Sequence, residues 1–360
     1  MIAAANLLHR LLINNQMKIR KFITIAIALI SLVTVTICKA QTGIISYNVW
    51  NQPIAASIYQ NKDVKTISYA FYWSRLESKP GIYDFTVLDT ELKQCIAAGK
   101  TFNIRIAASG RSPQYVIDSS LCMDIKQYRG DGSKKMFTVK IPAPYDAYYQ
   151  SRWLLFIDKL SQHINANAKY AAALQCVSIT GISLTNEEMR MPNQLDNEQT
   201  PGSTNYIDVL KSVNYSGKKI LNCFTKFQRA FVKAFPKQKL VIALGAGWFP
   251  TWADGIDINK SIIDSCATAG NKNRYVFIQT SLTPSTTGGF ISKIKAKGFV
   301  VGFQTNASIF DNPACLTDKT IKCSDKEFIA ALKIGLSIGS FVEVQQKRIQ
   351  VNPGALKLKY

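Results

Sequence analysis

Two glutamates carry the clearest potential for chemistry in this sequence. Glu187 lies in Thr185-Asn186-Glu187-Glu188 and Glu343 in Phe341-Val342-Glu343-Val344. Each sits at or just beyond a short apolar run. A carboxyl group in such a place can be desolvated enough to donate a proton, and a second one can attack carbon or activate water. Other chemistries lack parts. The chain holds two histidines, His9 and His163, and no Cys-x-x-Cys spacing. A His-rich metal site is therefore not expected, nor is a Ser-His-Asp triad, and Ser109, Ser112 and the cysteines have no partner base. No metal and no cofactor is expected.

These carboxylates need elements to hold them. Short apolar runs that read as strands cover residues 44–49, 66–73, 102–107, 177–184, 239–244, 275–280, 299–305 and 340–345. Helical periodicity lies between them. Val87, Leu88, Leu92, Cys95 and Ile96 recur on one helix face, and further helices are expected over residues 147–166, 205–235 and 325–338. Alternating strand and helix units indicate a parallel sheet covered by helices. Eight strands are the number that closes a single (β/α)8 barrel. An open doubly wound sheet is the rival, weakened because no glycine-rich phosphate loop follows an early strand. Residues 118–147 and 188–206 read as long polar loops, of the kind that covers a site.

In such a barrel the site lies at the C-terminal ends of the strands. That rule selects Tyr72, Trp73, Arg105, Asn186, Glu187, Trp248, Trp252, Gln304, Asn306 and Glu343. Indole and phenol rings stack on the C–H faces of sugars, and amides and a guanidinium bind hydroxyls. Two carboxyl groups can then cleave a glycosidic bond, one as acid and one as nucleophile or base. Glu188 is the neighbouring alternative to Glu187, and Glu77 is expected to hold the turn before Gly81.

The run Trp73-Ser74-Arg75-Leu76-Glu77-Ser78-Lys79-Pro80-Gly81-Ile82-Tyr83-Asp84-Phe85, with Leu88-Asp89 after it, resembles the second-strand signature of clan A glycoside hydrolases. It is most similar to the family 42 and family 35 β-galactosidases and their uncharacterised relatives. Arg105 with Ser112-Pro113-Gln114-Tyr115, and the pair Asn186-Glu187, resemble later segments of the same families. The resemblance implies a retaining glycosidase with Glu187 as acid/base after the fourth strand and a nucleophile after the seventh. Here the seventh strand ends Gly302-Phe303-Gln304-Thr305-Asn306, without a carboxylate. Either the strand count shifts by one, or Glu343 reaches in from the eighth strand, or the nucleophile is missing.

Residues 1–40 read as a secretory leader. Lys18, Arg20 and Lys21 precede an apolar run to Ile37, and Cys38-Lys39-Ala40 closes it with small residues. Met17 begins a better leader than Met1, so residues 1–16 look like a misplaced start. Residues 41–360 would then form the barrel domain, with no stable membrane anchor after cleavage. The formal charge is +21 and becomes +16 once the five basic residues of the leader are removed. The lysines are scattered and no nucleic-acid motif occurs, so no nucleic-acid partner is expected, and weak binding to anionic polysaccharide is. Export permits disulfides. Cys315–Cys323 is the favoured pair and Cys223–Cys266 a second. The expected function is an exported glycoside hydrolase acting on a carbohydrate. The alternatives are an inactive barrel that binds glycan and a surface-adhesion protein.

Overall fold

Eight parallel strands close into a barrel in the computed structural model, which describes residues 42–48, 52–128, 136–192, 205–305 and 325–357. The expected leader, Asn306, the Cys315–Cys323 pair and most of the 188–206 loop lie outside these residues. The strands are β1 Gly43–Asn48, β2 Thr66–Tyr72, β3 Thr101–Ala107, β4 Leu174–Ser178, β5 Lys239–Ala243, β6 Tyr275–Leu282, β7 Val300–Thr305 and β8 Phe341–Gln345. Each pairs with the next in sequence, and β8 closes on β1 with Ile45 opposite Glu343 and Tyr47 opposite Gln345. The fold is the (β/α)8 barrel, not the open sheet.

A helix follows each strand: α1 Ala56–Gln60, α2 Thr86–Ala97, α3 Ala147–Asn165, α4 Gly217–Ala234, α5 Ile258–Thr268, α6 Gly289–Ala296, α7 Asp325–Ile338 and α8 Gln346–Val351. Their starts are chemically marked. Asp146 caps α3 by accepting from Tyr149 N at 2.9 Å, and Ser216 caps α4 by accepting from Lys219 N at 3.2 Å. The single helix expected over 205–235 is two, Tyr206–Ser212 and α4. Asn214 turns the chain with a φ of 53°, which an L-residue other than Asn or Gly adopts reluctantly.

Strand alternation divides the core. Ile67, Tyr69, Phe102, Ile104, Val177, Leu240, Ile242, Phe277, Val301, Val342 and Val344 pack outward into one large apolar cluster with the helices. Ile45, Cys176, Val241, Val276, Ile278 and Phe341 form a separate small cluster inside the barrel. Strands buried on both faces explain the near-continuous apolar runs of the sequence. Gly302 is required here: a Cβ on it would collide with the ring of Phe341.

Three further expectations change on the way to the site. The described residues of the segment 118–147 are not irregular. It carries an antiparallel hairpin, Cys122–Tyr128 paired with Met136–Pro142, whose Met123, Ile125 and Ile141 are buried while Asp124 and Lys126 are exposed. The fourth strand is not Val177–Leu184 but Leu174–Ser178. The chain bends at Gly181, with φ 105°, where a Cβ would lie 2.5 Å from Trp153 Nε1. Among the described residues Cys223 and Cys266 are free thiols, not a disulfide, and accept from Gln150 Nε2 and Gln228 Nε2. No helix among the described residues is long and apolar enough to cross a membrane.

Candidate active site

The inward rows of the strands turn from apolar to polar toward their C-terminal ends. Two residues past Ile45, β1 presents Tyr47; two past Phe341, β8 presents Glu343; two past Gly302, β7 presents Gln304. Arg105 enters from β3. Arg105 is 1% exposed, Glu343 1%, Tyr47 2% and Glu187 4%, so this is a desolvated cluster.

Arg105 is its centre. Its Nη2 makes an ion pair and hydrogen bond with Glu343 Oε2. Its Nη1 stands 3.8 Å from Glu187 Oε1. The Tyr47 hydroxyl donates to the same Oε1, and the guanidinium carbon lies 5.1 Å from the Tyr47 ring centroid. The strand count is as expected, and Glu343 reaches the cluster from the eighth strand. Gln304 is in register with it on β7, buried, and its Oε1 has no hydrogen-bond partner among the described residues.

Glu187 arrives by an unusual route. It lies not at the end of β4 but on an excursion that leaves after Ser178. The loop after β3 braces the outgoing leg: Gly110 N donates to Leu184 O at 2.8 Å and Arg111 Nε to Thr185 O at 3.2 Å. Ser109, held at φ 52°, accepts from Ser183 N at 3.3 Å. The returning leg is tied to the β5 end, with Met189 N donating to Ala243 O and Met191 N to Trp248 O. The turn between them carries Glu187 back into the mouth.

The two carboxylates have unequal surroundings. Burial pushes Glu187 up to about 8, aided by the negative charges of Glu188 and Glu343. Burial raises Glu343 as well, but Arg105 and the neighbouring Ser68 hydroxyl pull it the other way. Glu187 therefore favours the protonated form at neutral pH, and Glu343 is the one with a fixed cationic partner.

The remaining selected residues divide. Tyr72 is half-buried at the end of β2 beneath Arg111, whose guanidinium carbon is 4.7 Å from the ring. Trp248 lies over Gly245, where a Cβ would strike the indole, with Arg190 5.6 Å from its ring. Both flank the braced excursion. Trp73 does not belong with them. It is fully buried between β2 and α3 against Trp153 and Phe156, and its Nε1 donates to Glu77 Oε2 at 2.9 Å. Glu77 also accepts from Gly81 N and pairs with Arg152, so it holds that turn. Asn186 spends its amide on Glu188 at 2.9 Å. Trp252 is 44% exposed beside Tyr215, in a loop that Asp254 ties to the start of α4. Tyr47 was not among the selected residues, although its place near the end of an apolar strand met the same rule as Tyr72.

No protein-family model and no curated protein matches the sequence. Solved structures do match in shape. The catalytic domain of β-amylase from Paenibacillus polymyxa aligns over 85% of this chain and 93% of its own, at 11% identity and a TM-score of 0.53. The exo-β-1,4-mannosidase Op5Man5 from Opitutaceae bacterium strain TAV5 aligns over 86% of this chain and 52% of its own, at 13% identity and a TM-score of 0.46. A psychrophilic glycoside hydrolase family 10 endo-β-1,4-xylanase aligns over 84% and 86%, at 11% identity and 0.46. At such identities the likeness is one of fold: the chain is a closed (β/α)8 barrel.

Proposed function

We propose that this protein is an exported glycoside hydrolase that cleaves by retention. The observation that carries the reading is one guanidinium, Arg105, set between two buried carboxyl groups, paired with Glu343 and facing Glu187 at 3.8 Å. The fold shared with glycan-cleaving enzymes such as the β-amylase supports it. The likeness of residues 66–116 to family 42 and 35 enzymes makes a β-galactosidase-like bond the finer reading.

The chemistry runs as follows. Tyr47 donates to Oε1 of Glu187, which leaves the acidic proton to Oε2. Glu187 gives that proton to the leaving oxygen as the Glu343 carboxylate attacks the anomeric carbon. The glycosyl ester so formed removes the charge on Glu343. Arg105 then faces a newly anionic Glu187 across 3.8 Å. That attraction steadies the carboxylate until it takes a proton from the attacking water, which releases the sugar and regenerates both groups.

The test is the anomeric configuration of the first product, read by proton NMR on an aryl glycoside, together with Glu187→Gln. Retention is expected, with turnover on a poor leaving group falling about 10²–10⁴-fold in the variant. Unchanged turnover in a folded Glu187→Gln protein would sink the assignment. Binding of glycan without any cleavage by the wild-type protein would transfer the barrel to the inactive class.

A further inference from the structure

Ser109, in the loop that leaves β3, has a φ of 52°, in the left-handed region that glycine enters freely and serine does not. It is buried, and so are Tyr149 on α3 and Ser183 on the excursion that carries Glu187. Their hydroxyls form one directed chain. Tyr149 has a single hydroxyl hydrogen, which goes to Gly181 O at 2.8 Å. The 3.3 Å hydrogen bond between Ser109 and Tyr149 is therefore donated by Ser109. Ser109 in turn accepts from Ser183 N and from Ser183 Oγ, each at 3.3 Å. Its one donor and two acceptor positions are all used.

The chain starts at Ser183 and ends at Gly181, so both ends lie on the excursion, with the β3 loop and α3 between them. Helix α3 holds Gly181 twice, since Trp153, one turn from Tyr149, leaves no room for a Cβ there. The two residues after Ser109 continue the clasp, Gly110 N to Leu184 O and Arg111 Nε to Thr185 O. Glu187 stands two residues beyond Thr185. Glycine would meet the backbone demand at position 109 with less strain, so what serine adds is the hydroxyl.

We infer that Ser109 is a positioning residue for the acid: its hydroxyl fixes the root of the excursion on α3, and so fixes where the Glu187 carboxyl meets the leaving oxygen. The inference rests on the glycoside hydrolase reading of Glu187. A misplacement of about 1 Å costs about 10²-fold in rate. For a displaced proton donor, that cost falls only on a leaving group that needs the proton.

The test compares two substrates, phenyl and 2,4-dinitrophenyl β-galactoside. Phenol leaves with a proton and 2,4-dinitrophenolate without one, and kcat/KM reports the step that breaks this bond. Ser109→Gly relieves the backbone and removes the hydroxyl, and Ser109→Ala removes the hydroxyl alone. In both, the ratio of kcat/KM for the dinitrophenyl over the phenyl substrate is expected to rise about tenfold above wild type. Tyr149→Phe cuts the chain at its other end while keeping the ring. It moves the ratio the same way and serves if the Ser109 variants do not fold. Trp73→Phe, which loses a buried bond between β2 and α3, keeps the wild-type ratio. A merely structural Ser109 would lower both substrates together through loss of folded enzyme, so an unmoved ratio overturns the inference. Amide exchange gives a readout that needs no turnover. Residues 182–187 should exchange about tenfold faster in Ser109→Gly than in wild type, with β8 unchanged. Equal exchange there also overturns the inference. A wild-type protein that cleaves neither glycoside fails the galactosidase-like reading alone, and the exchange rates then decide whether Ser109 holds the excursion.

Discussion

Arg105 holds Glu343 with one terminal nitrogen of its guanidinium and faces Glu187 at 3.8 Å with the other. Both carboxyl groups are buried, and Arg105 is the cation that pulls Glu343 toward its charged form. Replacing Arg105 with Met is expected to cost about 3–5 kcal/mol of stability, because it strands a buried charge. Urea unfolding of the variant at neutral pH checks this. A loss within error of zero would mean that the Glu343 charge is met by another group.

The raised Glu187 titration gives two pH signatures. Its native value, about 8, exceeds its ordinary value of 4.5, so the native state holds a proton that the unfolded chain releases. Its contribution to stability is complete below about pH 4.5 and is lost as pH rises through about 8. Glu187→Gln should flatten the unfolding free energy across that window relative to wild type. Activity should fall on the alkaline side with a midpoint near 8. A wild-type alkaline limb below pH 6 would contradict the assignment of Glu187 as the acid.

Tyr47→Phe removes the hydroxyl that donates to Glu187 while leaving the ring under Arg105. A donor to a carboxylate favours its charged form, so the alkaline limb should move upward. The kcat is expected to drop about 10–100-fold with KM little changed, since one hydrogen bond to a charged group is worth about 1.5–3 kcal/mol. An unmoved pH profile would make Tyr47 a packing residue only.

Gly302→Ala would press a methyl group into Phe341, two residues before Glu343. About 1–3 kcal/mol of destabilisation is expected from overpacking. Thermal melting measures it. Trp73→Phe makes the opposite contrast in function. It should lower the melting temperature through the lost bond to Glu77, while kcat and KM of the folded enzyme stay the same.

The barrel was legible because its strands are buried on both faces. Runs such as Leu240–Ala243 and Tyr275–Ile278 stand out against the helices as short, nearly unbroken apolar segments. Glu187 and Arg105 were legible from local motifs. Direction was not. Tyr72 and Trp73 are adjacent at one strand end, but only the partners on α3 decide that Trp73 turns outward into Trp153 and Phe156. The hairpin at 122–142 went unread because its polar alternate residues made the segment look like loop. Past the early end of β4 the chain bends at Gly181, which sits so close to Trp153 that a Cβ would not fit, and local pattern does not encode a contact between residues 28 positions apart.

The two carboxyl groups also differ in what anchors them. Glu343 is part of a strand hydrogen-bonded on both sides, so it moves only if the barrel opens. Glu187 hangs on a loop clasped by a handful of backbone contacts to the ends of β3 and β5. Local opening of such a loop takes far less free energy than global unfolding. Glu187 can therefore leave the site while Glu343 stays, and under the proposed mechanism loss of chemistry precedes loss of fold when the protein is warmed or treated with dilute denaturant. Amide exchange across 182–191 would then report on enzymatic competence, and exchange in β8 on survival of the barrel.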